Sequence, residues 1–538
     1  MSIYKEIGIN TARQYKILGV VILLTFLAWN TANAQVGIGT TTPDASAILE
    51  VDVSSLTEKK GFLPPRMSEA DREANITNPA EGLMIYNTDA NCLQWWNGSF
   101  WHDAFHTLTL QVFAQTKYPI NQDVFGINND WSKISSSNFN QAMTLFKSMN
   151  DDDFVLLRFP GGWESEHFDW DSQTTPNWNN APSEDGANIT QVKQNTSAHT
   201  IVVPTRSALL EEYNTQAWID EVELLKLEAV NAINQSNPSQ VKVVEIGNEW
   251  WLQWAGGKTR EEKLITYGKT AMEMAAHIDN EFPNRNFKLL INGDYTQPQE
   301  FIALKNQFTS TSAYNAIDGL GLHTYAGYNS ETYNIADLEN RIKTCASNFN
   351  DSKSMFIYVS EWMPSKLYNN NKKHMQTANI IPHMIHIYAK AGVDMGAYWP
   401  PVNSSAPGVG LTNWNFTTLL PIGQILGQLK NDFKTYTVET TSSETIHLTT
   451  GGENDNEMVL YLAGGESETT DVQIIVHGFS INTVVEAHRL RPADYNNTEL
   501  GVPYIEEVVE VGHTGNKIFL TINKQGKYEI IRVVLSSS

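Results

Sequence analysis

Between residues 120 and 432 the sequence alternates, eight times over, between a short apolar run that stops in glycine or polar residues and a longer stretch of helical periodicity. The runs are Val124–Asn128, Phe154–Pro160, Thr200–Thr205, Val241–Gly247, Phe287–Asn292, Ile317–His323, Met355–Ser360 and Met395–Trp399. The clearest helical stretch lies between Asn214 and Ile233. There Trp218, Val222 and Leu225 recur at helical spacing with Asp220, Glu221 and Glu223 between them. Two more run from Lys258 to Glu281 and from His374 to Ala391, the second with an expected kink at Pro382. Continuous apolar strands separated by helices call for a parallel sheet covered on its outer face. Eight strand–helix pairs over about 310 residues predict an α/β fold, a (β/α)8 TIM barrel. An open doubly wound sheet would carry a glycine-rich phosphate loop after its first strand, and the stretch from Phe125 to Lys133 has none.

The flanks differ in character. Residues 1–34 read as an export signal. Lys5, Arg13 and Lys16 precede an apolar run from Ile17 to Trp29, and Ala32-Asn33-Ala34 stands before Gln35 as a cleavage site. The run is short for a bilayer crossing. The expectation is a secreted, periplasmic or cell-surface bacterial protein with no membrane span after signal removal, the alternative being an uncleaved anchor. Residues 35–104 form a small module rich in Gly, Thr, Pro and Asn, with strand-like pieces such as Gly82–Tyr86. It ends in the aromatic patch Trp95, Trp96, Phe100 and Trp101, which either fills a small core or binds glycans. Residues 105–119 are an extended segment expected to join the C-terminal domain as a strand. Residues 433–538 lose helical periodicity and alternate as strands: Thr445–Thr449, Met458–Leu462, Asp471–Val476, Val484–Arg489, Lys517–Ile522 and Lys527–Val534. They predict a β-sandwich. Cys92 and Cys345 fall in different segments, so no disulfide is expected. With 60 acidic against 37 basic residues, no basic surplus exists to neutralise phosphates, and nucleic acid is excluded as a partner. The 15 Trp and 20 Tyr suit stacking on sugar rings, although large cores use them too.

Chemistry concentrates at the strand ends. The fourth run leads into Gly247-Asn248-Glu249-Trp250-Trp251 and the seventh into Ser360-Glu361-Trp362. In a TIM barrel the carboxyl ends of the strands form the mouth where active sites are built. Two carboxylates on well-separated strands can face each other across a glycosidic bond. One protonates the leaving oxygen while the other attacks the anomeric carbon or activates water. The competing reading is that each glutamate caps the helix that follows it.

This pattern resembles clan A of the glycoside hydrolases, in which an Asn-Glu pair ends the fourth strand and a second Glu ends the seventh. The resemblance implies that Glu249 is the acid/base, Glu361 the nucleophile, and Asn248 the amide that bonds the sugar 2-hydroxyl, with net retention and no cofactor or metal. Arg158-Phe159-Pro160-Gly161-Gly162-Trp163 is similar to an element of arabinofuranosidase-like members. Arg158 either keeps the nucleophile ionised or partners Glu245, a position where xylosidase-like sequences also carry Glu. In His323-Thr324-Tyr325, Tyr325 is implied to bond the nucleophile, and His323 is either its neighbour or a core histidine. Trp399 is implied as the floor under the sugar, or packs in the core. Supporting or lining roles fall to Trp163, Trp250 and Asp294. The loop residues Glu164, Glu166, His167, Asp169 and Trp170, and the indoles Trp131, Trp251 and Trp254, are further candidates. His383 and His386, three apart on a helix, read as an outer surface rather than a metal site. The implied substrate is a plant or algal polysaccharide or its oligomers. The first module resembles one at the front of many exported Bacteroidota proteins, similar to tail-fibre segments, which implies attachment or oligomerisation. The alternatives to an enzyme are a glycan-binding surface protein without catalysis and an adhesin.

Overall fold

The computed structural model describes residues 35–89, 92–96, 101–103, 107–149, 155–175, 186–325, 327–329, 332–334, 337–350, 352–364, 374–402, 409–443, 446–464, 470–492, 504–509, 511–522 and 529–537. The export-signal reading, Phe100 and the start of the second predicted strand at Phe154 lie outside these residues. The chain divides into two compact units, one ending at His106 and the other beginning at Thr107. Among the described residues no helix is long and apolar enough to cross a membrane.

The first unit holds a parallel pair of strands, Val36–Ile38 and Leu49–Val51, and a four-stranded sheet. A short helix, Glu69–Asn75, starts where the Ser68 hydroxyl accepts the Asp71 amide. It buries Arg72, which donates to Gln94 Oε1 at 2.7 Å and lies 5.5 Å from the Trp101 ring centre. Trp96 meets Trp101 edge to face. These indoles therefore pack with an arginine between helix and sheet. Val36, Ile38, Ile48, Leu49, Phe62 and Leu63 are all more than half exposed.

The second unit contains the barrel. Its strands are β1 (Gly126–Asn128), β2 (Leu156–Phe159), β3 (Ala198–Val203), β4 (Val241–Ile246), β5 (Lys288–Gly293), β6 (Gly319–Tyr325), β7 (Phe356–Met363) and β8 (Met395–Tyr398). Each pairs in parallel with the next and β8 closes on β1. All eight coincide with the apolar runs of the sequence, but β6 and β7 extend two to three residues further, into the residues that carry the chemistry. The helix Gln216–Gln235 buries Trp218, Val222 and Leu225 as its periodicity requires, and the Thr215 hydroxyl accepts the Trp218 amide at its start. Each such side chain taken from water contributes about 1.5–3 kcal/mol. The stretch from His374 is two helices, His374–Ala378 and Ile381–Ala391. Pro382 sits in the first turn of the second, where its missing N–H costs nothing, so it restarts the helix instead of kinking it.

Inside the barrel, side chains change from apolar to polar in one step. Leu156, Ala198, Val243, Leu290 and Tyr358 form one packed layer with Met395 and Ala397. Inward side chains recur every second residue along a strand. Two residues on from that layer stand Arg158, Thr200, Glu245, Asn292 and Ser360, all buried. The apolar layer is the floor on which the polar layer is held away from water.

Among the described residues the C-terminal strands form one hydrogen-bonded sheet of ten strands around an apolar core that takes residues from both halves of the sheet. The strand Thr107–Pro119 lies within it, antiparallel to Tyr436–Thr440 and parallel to Thr470–His477. The sheet packs on the helix Ile381–Ala391. His386 there bonds Thr437 Oγ1 at 3.0 Å, and His383 stacks on His447 with ring centres 4.7 Å apart. The expectation of a solvated helix surface at these histidines is therefore corrected. The face is covered by the sheet.

Candidate active site

The centre of the polar layer is Arg158. It is fully buried and spends its guanidinium on three neighbours. Nε donates to Glu245 Oε2 at 2.9 Å, Nη1 to Glu361 Oε1 at 2.8 Å and Nη2 to Asn248 Oδ1 at 2.7 Å. The two roles left open for Arg158 are thus held by one side chain. Burial opposes its charge, but Glu245 and Glu361 outweigh burial and raise its pKa further above the ordinary value. Glu245 is completed by Asn292 Nδ2 and Ser360 Oγ, each 2.7 Å from Oε1.

Glu361 and Ser360 are neighbours in sequence, so in a regular strand they would face opposite sides. The pairing of β7 shifts register against both β6 and β8 at this point, and both side chains reach the interior. Glu361 receives Arg158 on one oxygen and the Tyr325 hydroxyl on the other, at 2.6 Å. Burial works against its charge, yet His323, Arg158 and Tyr325 hold its carboxyl below the usual range. It is poised as an ionised group.

Glu249 is reached through a sharp turn. Gly247 has φ of 79°, and a Cβ there would lie 2.8 Å from the Tyr267 ring and 2.9 Å from Thr205 Oγ1. Glu249 itself has φ of 47°. A non-glycine residue in this region stores about 1–3 kcal/mol and persists only where its surroundings fix it. Here the Glu249 amide donates to Asn292 Oδ1 at 2.8 Å, and its carbonyl accepts from the Leu252 and Gln253 amides. The turn is also tied down from below by Glu166, which accepts the backbone amides of Thr205, Arg206 and Asn248. The Glu249 side chain is 13% exposed and that of Glu361 5%, so the first is the more open to solvent.

His323 stands between them. Nδ1 is 2.9 Å from Glu249 Oε1 and 3.3 Å from Glu361 Oε2. Burial opposes its protonation, but Glu361 and Glu249 outweigh it and raise its pKa above 6.5. One oxygen of each glutamate and one nitrogen of His323 lie within 4.8 Å of one another. Such spacing suits a cation, but Glu361 already holds donors on both oxygens and His323 is engaged with Glu249. A metal ion would have to displace them.

The structure brings Asn248, Arg158, His323, Tyr325, Glu249 and Glu361 to one place. Trp399 is at its edge, meeting Tyr325 edge to face, with Nε1 donating to Asp130 Oδ2 at 2.7 Å. Trp163 is 36% exposed in the loop after β2. Other candidates lie elsewhere. Trp250 is fully buried, stacks on Tyr267 and donates to the Asn292 carbonyl, so it braces the turn from beneath. Asp294 pairs with Arg260 at 2.7 Å and caps Thr296. Trp131 and Trp170 donate to the Ala187 and Val202 carbonyls in the core, so neither lines a cleft. Trp251 is buried against His323, and Trp254 is 69% exposed. Sequence reasoning missed Asn292, Ser360 and Asp130. Its usable signal for the first two was the two-residue step from the apolar layer.

Residues 37–116 match a family described as a phage tail like trimerisation region. No curated protein is detectably similar to the chain in sequence. The fold is similar to that of the GH51 arabinofuranosidase from Xanthomonas axonopodis pv. citri, at 13% identity and a TM-score of 0.57. It is also similar to the alpha-L-arabinofuranosidase from Thermotoga maritima, at 14% and 0.57, and to a bifunctional glucanase-xylanase from a metagenome library, at 11% and 0.53. Each match covers 80% of this chain, with 100% of the two arabinofuranosidases and 99% of the third protein. At these identities the likeness is one of fold.

Proposed function

We propose that this chain is a secreted retaining glycoside hydrolase that cleaves O-glycosidic bonds of plant or algal polysaccharides or their oligosaccharides by double displacement. The observation that carries the reading is the pair of carboxyl groups at the ends of β4 and β7, with oxygens within 4.8 Å of each other. Retaining glycosidases hold their two carboxyl groups about 5–5.5 Å apart, whereas inverting ones leave room for a water.

In the first step Glu249 gives its proton to the leaving oxygen while a Glu361 oxygen attacks the anomeric carbon. The carbon–oxygen bond breaks and a glycosyl ester forms on Glu361. Glu249, now ionised, takes a proton from water, whose oxygen attacks the same carbon and frees Glu361. His323 occupies Glu249 Oε1 and so directs the proton to Oε2. Arg158 and Tyr325 keep Glu361 ionised while leaving lone pairs for attack. Asn248 Oδ1 is taken by Arg158, which fixes the amide, and Nδ2 has no partner among the described residues. It is the donor for the hydroxyl beside the anomeric carbon. Trp399 is the floor. The arabinofuranosidase and glucanase-xylanase neighbours support a plant-polysaccharide substrate, and the leader-like first residues support export.

For the first unit, the match to a trimerisation region and the row of exposed apolar residues support assembly of the chain into trimers. A two-stranded pair is not stable alone in water, and packing against other copies would bury it.

The test is hydrolysis of a panel of nitrophenyl glycosides and polysaccharides by wild type, Glu249→Ala and Glu361→Ala. Cleavage by wild type, with azide restoring Glu249→Ala alone on an activated glycoside, is the expected result. Wild-type rates in both variants would remove the mechanism.

A further inference from the structure

A second pair of carboxyl groups is buried beside the first. Asp130 follows β1 and is 2% exposed. Glu164 lies in the turn Trp163–Glu166 after β2 and is 4% exposed. The two segments meet across Gly162, whose φ is 69°. A Cβ there would lie 2.7 Å from Asp130 Oδ1 and 2.8 Å from Glu164 Oε2. Glycine is what allows the two groups to approach: with an oxygen of each within 2.8 Å of that one point, the two oxygens lie no more than about 5.5 Å apart. Two buried carboxylates this close repel when both are ionised, and a proton held between them relieves the repulsion. Of the charged groups that face the pair, Lys133 is positive and Glu361 is negative. One lysine does not balance two further buried charges. Burial first, and then Glu164, lifts Asp130 well above the carboxylate range, and burial lifts Glu164 as well. Ser132 Oγ is 3.4 Å from Asp130 Oδ1, and the other Asp130 oxygen accepts the Trp399 indole.

We propose that Asp130 and Glu164 share a single proton and act together as positioning residues, holding Trp399 in place at the barrel mouth. The pair touches neither reacting atom. It acts through the indole, whose ring meets Tyr325, the donor to Glu361. When the shared proton leaves at alkaline pH, the two carboxylates repel across Gly162 and Trp399 loses its fixed partner. KM then rises with pH in a step that Glu249 does not control. The kinetic part of this inference rests on the glycosidase reading. The proton itself does not.

Two measurements test it on the full chain. The first is the infrared carboxylic-acid C=O band at about pH 8, where ordinary carboxyl groups are ionised. Wild type shows a band component that Glu164→Gln and Asp130→Asn both remove, because either amide leaves one carboxylate with no proton to share, while any part from Glu166 and Glu228, which burial lifts to about 7, is common to all three proteins. A band as strong in either variant as in wild type, or none to lose in wild type, overturns the shared proton whatever the enzyme's activity. The second is KM against pH on the nitrophenyl glycoside that wild type cleaves. Glu164→Gln supplies a permanent N–H donor in place of the proton, so its KM stays flat where that of wild type climbs. Glu164→Ala supplies none, and its KM is raised about tenfold across the range, the effect of losing roughly one good contact. A climb in Glu164→Gln matching wild type, or an unaltered KM in Glu164→Ala, overturns the positioning role. If no glycoside is cleaved, the infrared result still decides the proton, and the failure belongs to the proposed function.

Discussion

The barrel mouth and the seam between the barrel and the C-terminal sheet both bury ionisable side chains, with opposite outcomes. At the mouth, Arg158 and Glu361 are as dry as the leucines below them and keep their charge. Each has an opposite charge at hydrogen-bond distance. At the seam, His386 lies against the sheet and His447 within it, with no carboxylate bonded to either among the described residues, and burial pushes His386 down to about 4 and lowers His447. His383 is driven well below 6.5 by burial, then by His447, His386 and Lys390. The difference is not depth but counter-charge. A buried group stays ionised where the fold supplies a geometrically matched partner and is neutral where it supplies only packing. The mouth is built to do chemistry, and the seam to hold two domains together.

The largest difference between mouth and seam is expected at Glu361. Changing it to Gln removes the nucleophile but keeps the shape, and turnover should fall by about 10^4-fold or more. A fall below tenfold would make the mouth a structural ion cluster like any other. Next is Arg158→Met, which leaves Glu245 and Glu361 buried without their cation. Urea unfolding should lose about 3–5 kcal/mol. A loss under 1 kcal/mol would mean that counter-charge is not what keeps the mouth ionised.

The seam gives a pH effect of opposite origin. Histidines with lowered native pKa bind protons only on unfolding. Between 6.5 and about 4 the unfolded chain therefore holds more protons, and stability drops as pH falls through that window. His383→Leu removes one such site, so its melting temperature should fall less steeply with acid than that of wild type. Parallel curves would contradict neutral burial. The smallest effect belongs to Trp254→Ala. At this exposed position stability should stay within about 0.5 kcal/mol, with KM rising on long oligosaccharides and unchanged on nitrophenyl glycosides.

The barrel was legible because each strand is a continuous apolar run, and buried parallel strands cannot be anything else for long. The mouth was legible where strand ends stop in unlike residues, as at Asn248-Glu249 and Glu361. Asn292 was not, because an amide at the end of β5 looks like any loop residue until register places it beside Glu245. Asp294, two residues later, drew attention by its charge and instead pairs with Arg260. Tryptophans misled for a related reason. Composition says how many indoles there are but not which way they point, and Trp250, Trp131 and Trp170 point into packed interior. Glu166 read as a loop acid and is the anchor of the Thr205 and Asn248 backbones. His383 and His386 looked like a solvated helix face because the strand that covers them comes from residues far along the chain. Local pattern reveals the elements. Contacts between elements distant in sequence need the fold.

Whether Glu361 is the nucleophile is decided by trapping the covalent intermediate. The protein would be treated with an activated 2-deoxy-2-fluoro glycoside of the sugar that wild type cleaves, then digested and analysed by mass spectrometry. A single glycosyl adduct is expected on Glu361, in the Phe356–Met363 segment, absent in Glu361→Gln. An adduct on another carboxyl group, or labelling that persists in Glu361→Gln, would contradict it.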